Sequence, residues 1–332
     1  MISDNSTESL KRLGVVRKGM ANKTYIKDSS DTLETFNSNV NVKGMPFVDI
    51  NFDIYEPRDY GITYKDVNGE AVLLESLIKA GFHTILEGDK GLGKTLMVHD
   101  ICHSLKIPIV PINCSSATTR EDLLGHVVIQ KDGTFAFKLG VIPTAILLAN
   151  SHPTKRVVIY QDEPNTMNPD VQKIWNSVLD DRRSTIANDQ IFRVNKDSIL
   201  VVVGAMNPIS YSGVNALNED YISRFGFQEI KMPSKDTLLS ICEWKDLPEE
   251  DQHGLLSLSE SIRNLRNQGV VDYSLSTRDM NQFATIYSVS TKNGCNHIEA
   301  ITNAVNTTVI GKMPTVEQRQ SVRPLVNDVW GI

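Results

Sequence analysis

The sequence predicts an α/β fold, a parallel sheet with flanking helices. Three observations predict it. Residues 83–87, 157–160 and 198–206 are short apolar runs of strand character, and helical patterns separate them, the alternation from which parallel sheets are built. Each run ends in residues of another kind: a glycine-rich turn after the first, Gln161-Asp162-Glu163 after the second, Asn207 after the third. Open sheets gather such residues at the carboxyl ends of their strands, where ligands bind. With 332 residues, 40% of them hydrophobic, the chain can bury a substantial core, and its length suggests about two domains.

Charge and cysteine usage exclude several classes. The formal net charge is −6, so the chain lacks the basic excess of a dedicated nucleic-acid binder. Cys102, Cys114, Cys242 and Cys295 lie far apart with no C-x-x-C pair, which argues for reduced, mostly buried thiols and suits a cytoplasmic protein. The N-terminus has no apolar leader, and no run approaches the ~18 apolar residues of a membrane span. A soluble protein is expected.

In chain order, residues 1–44 are rich in Ser, Thr, Asn, Asp and Lys with few apolar residues, and read as a mobile tail. Arg12, Arg17 and Lys18 either dock it on a partner or are simply solvated. Apolar residues return between Pro46 and Tyr64, where folded structure is expected to start. Residues 71–78 have helical spacing and either line a ligand pocket or pack in the core.

Gly88-Asp89-Lys90-Gly91-Leu92-Gly93-Lys94-Thr95 fits G-x-x-x-x-G-K-T, with a predicted strand before it and a predicted helix, residues 96–102, after it. That order places backbone N–H groups and a helix N-terminus around one point, which favours bound phosphate. Lys94 would reach the β- and γ-phosphates and Thr95 would ligate Mg²⁺. Gly88, Gly91 and Gly93 are expected to adopt positive φ and admit the phosphates.

Residues 107–112 form an awkward strand because of Pro108 and Pro111. Residues 121–125 come next, and then residues 133–137, which alternate like an exposed hairpin arm, either a simple hairpin or one that touches a substrate. A helix is expected over residues 140–150. Asp162 and Glu163 follow a central strand about 70 residues after the glycine-rich turn. In that setting Asp162 is the Mg²⁺ partner through water and Glu163 the base that orients an attacking water. Val171, Ile174, Trp175, Val178 and Leu179 share one helical face, with Trp175 in the core. Residues 180–183 read as a solvated charge cluster. Asn207 reaches the same sheet edge as the carboxylates and can position water, and Arg224 stands beside an aromatic anchor, Phe225.

Taken together these residues resemble the AAA+ ATPases, specifically the MoxR-like group with the ATPases that activate Rubisco and nitric oxide reductase. Residues 88–95 are similar to Walker A, 157–163 to Walker B, Asn207 to sensor 1, and Arg224-Phe225 to the arginine-finger segment. Ser276-Thr277-Arg278-Asp279 resembles the sensor 2 motif, with Arg278 as the sensor or else as a surface ion-pair partner. Residues 122–125 with 133–135 resemble the hairpin insertion of the group. The match covers about residues 46–312 and departs from the commoner wording at Gln161-Asp162-Glu163-Pro164-Asn165.

The resemblance implies an AAA+ P-loop NTPase domain over residues 45–232 and a small helical lid with a C-terminal tail over 233–332. It implies ATP and Mg²⁺ as cofactors, Glu163, Asn207, Arg224 and Arg278 as catalytic residues, and a hexameric ring in which Arg224 acts in trans. It also implies a protein client, together with a von Willebrand factor A-type partner in some relatives. A remodelling ATPase is the expected function, and a nucleic-acid motor or restriction-type subunit on the same core is the alternative. The acidic balance favours the first.

Overall fold

The computed structural model describes residues 15–17, 45–61, 63–66, 68–208 and 216–332. It divides into two compact units, residues 1–87 with 93–229, and residues 88–92 with 230–332. The expected tail lies outside the described residues except for β1, Val15–Arg17. That segment is a strand, held by backbone hydrogen bonds that the composition of the stretch does not reveal.

After β1 the first unit continues with a 3₁₀ turn over Phe52–Tyr55, followed by α1 (Glu70–Ala80) and β2 (Thr84–Glu87). Gly69 and Gly81 bracket α1 in the left-handed region, and Leu74 and Ile78 bury one face. Then come α2 (Lys94–Leu105), β3 (Ile109–Asn113), α3 (Arg120–Leu124), and the hairpin β4 (Gly125–Ile129) and β5 (Phe135–Leu139). α4 (Val141–Ser151) and β6 (Arg156–Asp162) are almost entirely buried.

The stretch expected to be one helix over residues 171–179 folds as α5 (Pro169–Gln172), a 3₁₀ turn (Lys173–Trp175) and α6 (Asn176–Leu179). Its junction residues keep right-handed helical dihedrals, so the apolar face survives a tightened middle turn. Trp175 is fully buried. A hairpin follows, β7 (Ser184–Ala187) and β8 (Gln190–Arg193), then β9 (Ile199–Met206), α7 (Glu219–Ile222) and β10 (Gly226–Glu229).

Five strands form a parallel sheet in the order β10-β2-β9-β6-β3, and β1, β8 and β7 form a small antiparallel sheet. β3 lies at an edge of its sheet, which is how it tolerates Pro111, an exposed residue that lacks a ladder N–H. One core joins Ile85, Val110, Ile146, Ile159, Val202 and Tyr221. The cluster at residues 180–183 is only partly solvated. Arg182 pairs with Asp180 on the surface, whereas the half-buried Arg183 takes a left-handed conformation and donates to the Ser198 carbonyl at 2.6 Å.

The second unit is helical: α8 (Lys235–Ile241), α9 (Glu249–Asn267), α10 (Thr277–Lys292), α11 (His297–Thr308) and α12 (Val316–Trp330). Leu255, Ile262, Met280, Phe283, Ile301 and Val322 fill its interior. The thiols of Cys102, Cys114 and Cys242 are buried and pushed well above the ordinary range by that burial, with the Asp162 charge adding to the effect at Cys114. Among the described residues no helix is long and apolar enough to cross a membrane.

His83 ties the start of β2 to the sheet centre, because its Nδ1 accepts the Val202 N–H at 3.0 Å. Burial, with the Arg183 charge second, lowers its pKa to about 4. The unfolded chain therefore binds a proton near pH 6.5 that the folded chain refuses, and stability drains as the pH falls from about 6.5 to about 4. His83→Phe removes both the acceptor and the titration. At pH 7.5 it should lose roughly 1–3 kcal/mol in denaturant melts, and its stability should fall less steeply than wild type between pH 6.5 and 4. Parallel pH profiles for the two proteins would contradict this account of His83.

Candidate functional site

The parallel sheet of the first unit sets the site. β6 and β9 are neighbours in register, Gln161 opposite Gly204 and Asp162 opposite Ala205, so their carboxyl ends finish side by side. The chain leaves β6 at Glu163, whose N–H still reaches the Ala205 carbonyl at 2.8 Å. Glu163 then turns into the left-handed region, φ 56 and ψ 52. For a non-glycine residue this costs on the order of 1 kcal/mol, and it breaks the strand alternation, so that the carboxylate meets Asn207 at the end of β9.

β9 delivers Asn207, which is only 3% exposed. Its amide Nδ2 donates to Glu163 Oε1, and its Oδ1 accepts from Lys94 Nζ at 3.4 Å. One amide therefore lies between a cation and a carboxylate, with the oxygen toward the cation and the N–H toward the anion. Electrostatics leave only one orientation of the amide that suits both neighbours. The backbone carbonyl of Asn207 is held in turn by Asn165 Nδ2 at 3.1 Å.

Lys94 and Thr95 open α2. Thr95 Oγ1 lies 2.8 Å from the Tyr160 hydroxyl, which donates to Asp162 Oδ1 at 3.3 Å. Burial raises the pKa of the Tyr160 phenol, against the opposing pull of the Thr95 hydrogen bond, so it stays protonated at neutral pH. On the opposite face of β6, Gln161 accepts from the Tyr221 hydroxyl. Tyr221 belongs to α7 and packs on Phe225 at 4.8 Å between ring centroids, so the helix that leads to Arg224 is anchored to the residue preceding Asp162. Arg224 itself donates from Nη1 to the Asp220 carbonyl and to Ser223 Oγ, the latter at 3.3 Å.

The glycine-rich turn is divided between the two units. Gly93 (φ 79) sits against the Tyr64 ring, which a Cβ would meet at 3.1 Å. Gly88 to Leu92 cluster with the helical unit. There Asp89 pairs with Arg266 at 3.4 Å, and Thr277 Oγ1 donates to the Gly91 carbonyl. Gly91 is left-handed (φ 75), and a Cβ on it would lie 2.4 Å from that of Ser276. Gly88 departs from the expectation, since it does not take positive φ. Its reason for being glycine is the Ile230 carbonyl, 2.5 Å from where a Cβ would stand. Lys90 is exposed and Leu92 buried.

Ser276 and Asp279 form a capping box at the start of α10. Asp279 is buried and also receives the Tyr273 hydroxyl at 2.9 Å and the Lys312 ammonium, so it serves the fold. Arg278, between them, is exposed on the first turn. The pattern Ser-x-x-Asp was itself a readable sign of a helix start.

Residues 83–225 match the family model described as AAA domain (dynein-related subfamily). An uncharacterized protein of Staphylococcus epidermidis is 25% identical over 255 residues, 75% of this chain and 90% of that protein. One of Staphylococcus saprophyticus is 24% identical over 254 residues, with the same shares. Midasin of Giardia intestinalis is 34% identical over 142 residues, 42% of this chain and 3% of Midasin. The parallel five-stranded sheet with its flanking helices is thus the AAA P-loop NTPase fold, followed by a helical region.

Proposed function

We propose that the chain is a Mg²⁺-dependent ATPase of the MoxR-like AAA+ group that works as a homo-oligomeric ring, a hexamer, to remodel or mature a protein client. The observation that carries the reading is the Lys94–Asn207–Glu163 chain of contacts at the carboxyl ends of β6 and β9. A buried structural amide has no need of a cation and a carboxylate converging on it at the edge of a parallel sheet. A hydrolytic site needs both.

In this reading the backbone of residues 88–93 and the Lys94 ammonium hold the phosphates, which P-loop and lysine do by directed N–H groups and a point charge. Thr95 and Asp162 supply oxygen donors. Among the described residues no cluster of three or more His, Cys, Asp or Glu is placed to hold a metal. That donor set fits magnesium, which takes one or two protein oxygens and draws the rest from phosphate and water. Bound there, the ion would neutralise charge on the transferring phosphoryl group.

Glu163 accepts a proton from, and aligns, the attacking water, and Asn207 fixes the carboxylate that does so. The left-handed backbone at Glu163 is strain kept at a functional position. Arg224, just beyond a short helix anchored through Tyr221, is the finger offered to a neighbouring subunit, and Arg278 is the sensor of phosphate state. Hydrolysis would thereby depend on assembly. A von Willebrand factor A-type protein is a suitable partner class for such a ring, and the net charge of −6 weighs against nucleic acid as its track.

Glu163→Gln keeps the oxygen that Asn207 faces and removes the negative charge. It should bind ATP as wild type does and hydrolyse it at least about a hundredfold more slowly in a phosphate-release assay. Turnover near wild type would make Glu163 a structural residue.

Arg224→Ala should bind ATP yet lose hydrolysis by about three to five powers of ten, while Lys94→Ala should lose binding. Mixed in conditions where subunits exchange, the two inactive variants should regain activity, because some interfaces then pair an intact nucleotide site with an intact finger. Confirmed mixed oligomers that stay inactive would contradict action in trans.

A further inference from the structure

The feature that the proposed chemistry leaves unused is the Tyr160 hydroxyl. We propose that it is a positioning residue, a hydrogen-bond relay that aims the oxygens of Thr95 and Asp162 at the divalent cation. The inference rests on the ATPase reading above and extends it to a residue that neither the P-loop motif nor the acidic pair contains.

Strand geometry puts Tyr160 there. Side chains two apart on a strand share a face, so Tyr160 lies on the same face of β6 as Asp162, toward the first turn of α2. The hydroxyl is within hydrogen-bond reach of both neighbours, 2.8 Å from Thr95 Oγ1 and 3.3 Å from Asp162 Oδ1. Counting donors then assigns the protons. An ionised carboxylate can only accept, so the single phenol proton goes to Asp162 Oδ1. The phenol oxygen is left as an acceptor, and the proton it accepts is that of Thr95. Thr95 has spent its one proton, and its remaining lone-pair density faces away from Tyr160, on a residue that is solvent-exposed. Asp162 keeps its second oxygen for water.

Thr95 is therefore presented as a pure oxygen donor, the state a hard cation requires, and Asp162 as an acceptor for a water that the cation would hold. Without the phenol, the Thr95 hydroxyl is free to rotate its proton toward the cation and must be reoriented on each binding event. The ring that carries the relay is fixed independently of its hydroxyl. Tyr160 is 3% exposed, and its ring packs on His99 at 5.9 Å, one helical turn after Thr95. His99 packs in turn on Tyr60 at 5.2 Å. Removing only the oxygen should leave the packing in place, which makes relay and fold separable.

The test is a titration of wild type and Tyr160→Phe with a fluorescent ADP analogue, first in EDTA and then against graded Mg²⁺. In EDTA the two should bind the probe equally, within about twofold. With Mg²⁺ the variant should need about tenfold more metal for half-maximal effect, the loss expected for one hydrogen bond to a charged group. An unchanged Mg²⁺ requirement overturns the relay, and so does a parallel loss of affinity in EDTA, which would mark Tyr160 as structural only. Wild type that fails to bind the probe in either condition overturns the ATPase reading and the relay with it, a result distinct from the other two. Should Tyr160→Phe fold poorly in melts, 3-fluorotyrosine at position 160 retains the hydroxyl and reports by ¹⁹F NMR. Its resonance should move when Mg²⁺ is added to the ADP-bound protein, and a resonance that stays fixed overturns the relay.

Discussion

The Asn207 amide is the point on which the site depends. With Lys94 3.4 Å from its oxygen and Glu163 on its N–H, it cannot flip without turning its N–H toward the cation and its oxygen toward the carboxylate. Its place is set by the β6 and β9 ladder, because one residue of slip would send Asn207 and the acid pair to opposite faces. The register also explains why a strained backbone is tolerated at Glu163, since the Ala205 carbonyl and the Asn207 amide hold that residue from two directions.

Three glycines of one motif turn out to answer three different constraints. Gly93 clears the Tyr64 ring, Gly91 clears Ser276 while taking positive φ, and Gly88 clears the Ile230 carbonyl. Positive φ holds at Gly91 and Gly93 but not at Gly88, and the packing constraints were hidden from the sequence because the partners lie far along the chain. In the helical unit, Asp89 with Arg266 and Gly91 with Thr277 hold residues 88–92, so the segment is shaped by helices that begin more than a hundred residues later. The capping box at Ser276 fixes where α10 starts and so which residue, Arg278, is left facing outward.

Much of the fold was legible because apolar runs and their endings carry it. Strands β2, β6 and β9 announce themselves by β-branched composition, and the residues that follow each of them form the site's edge. What stayed hidden was pairing at long range. Tyr160 read as strand filler, since an aromatic in an apolar run is ordinarily core, although its spacing of two from Asp162 already placed both on one face. Asn165, Gln161 and Tyr221 could not be linked from sequence at all, as their contacts cross 42 and 60 positions. The hairpin of residues 184–193 was hidden by polar residues, and the strand over Val15–Arg17 by a composition that resembles a tail. Arg183 looked like one of a solvated group, and only the position of the Ser198 carbonyl reveals it as a tie within the first unit.

The central claim is that this sheet edge is a nucleotide-hydrolysing site built on Asn207. The most direct measurement is equilibrium binding of ATP to the intact wild-type chain by calorimetry, with phosphate release followed in the same sample before and after Mg²⁺ is added. Saturable ATP binding, with phosphate released only once Mg²⁺ is present, is the result predicted. A chain that binds no ATP at millimolar concentration, with or without Mg²⁺, would contradict it.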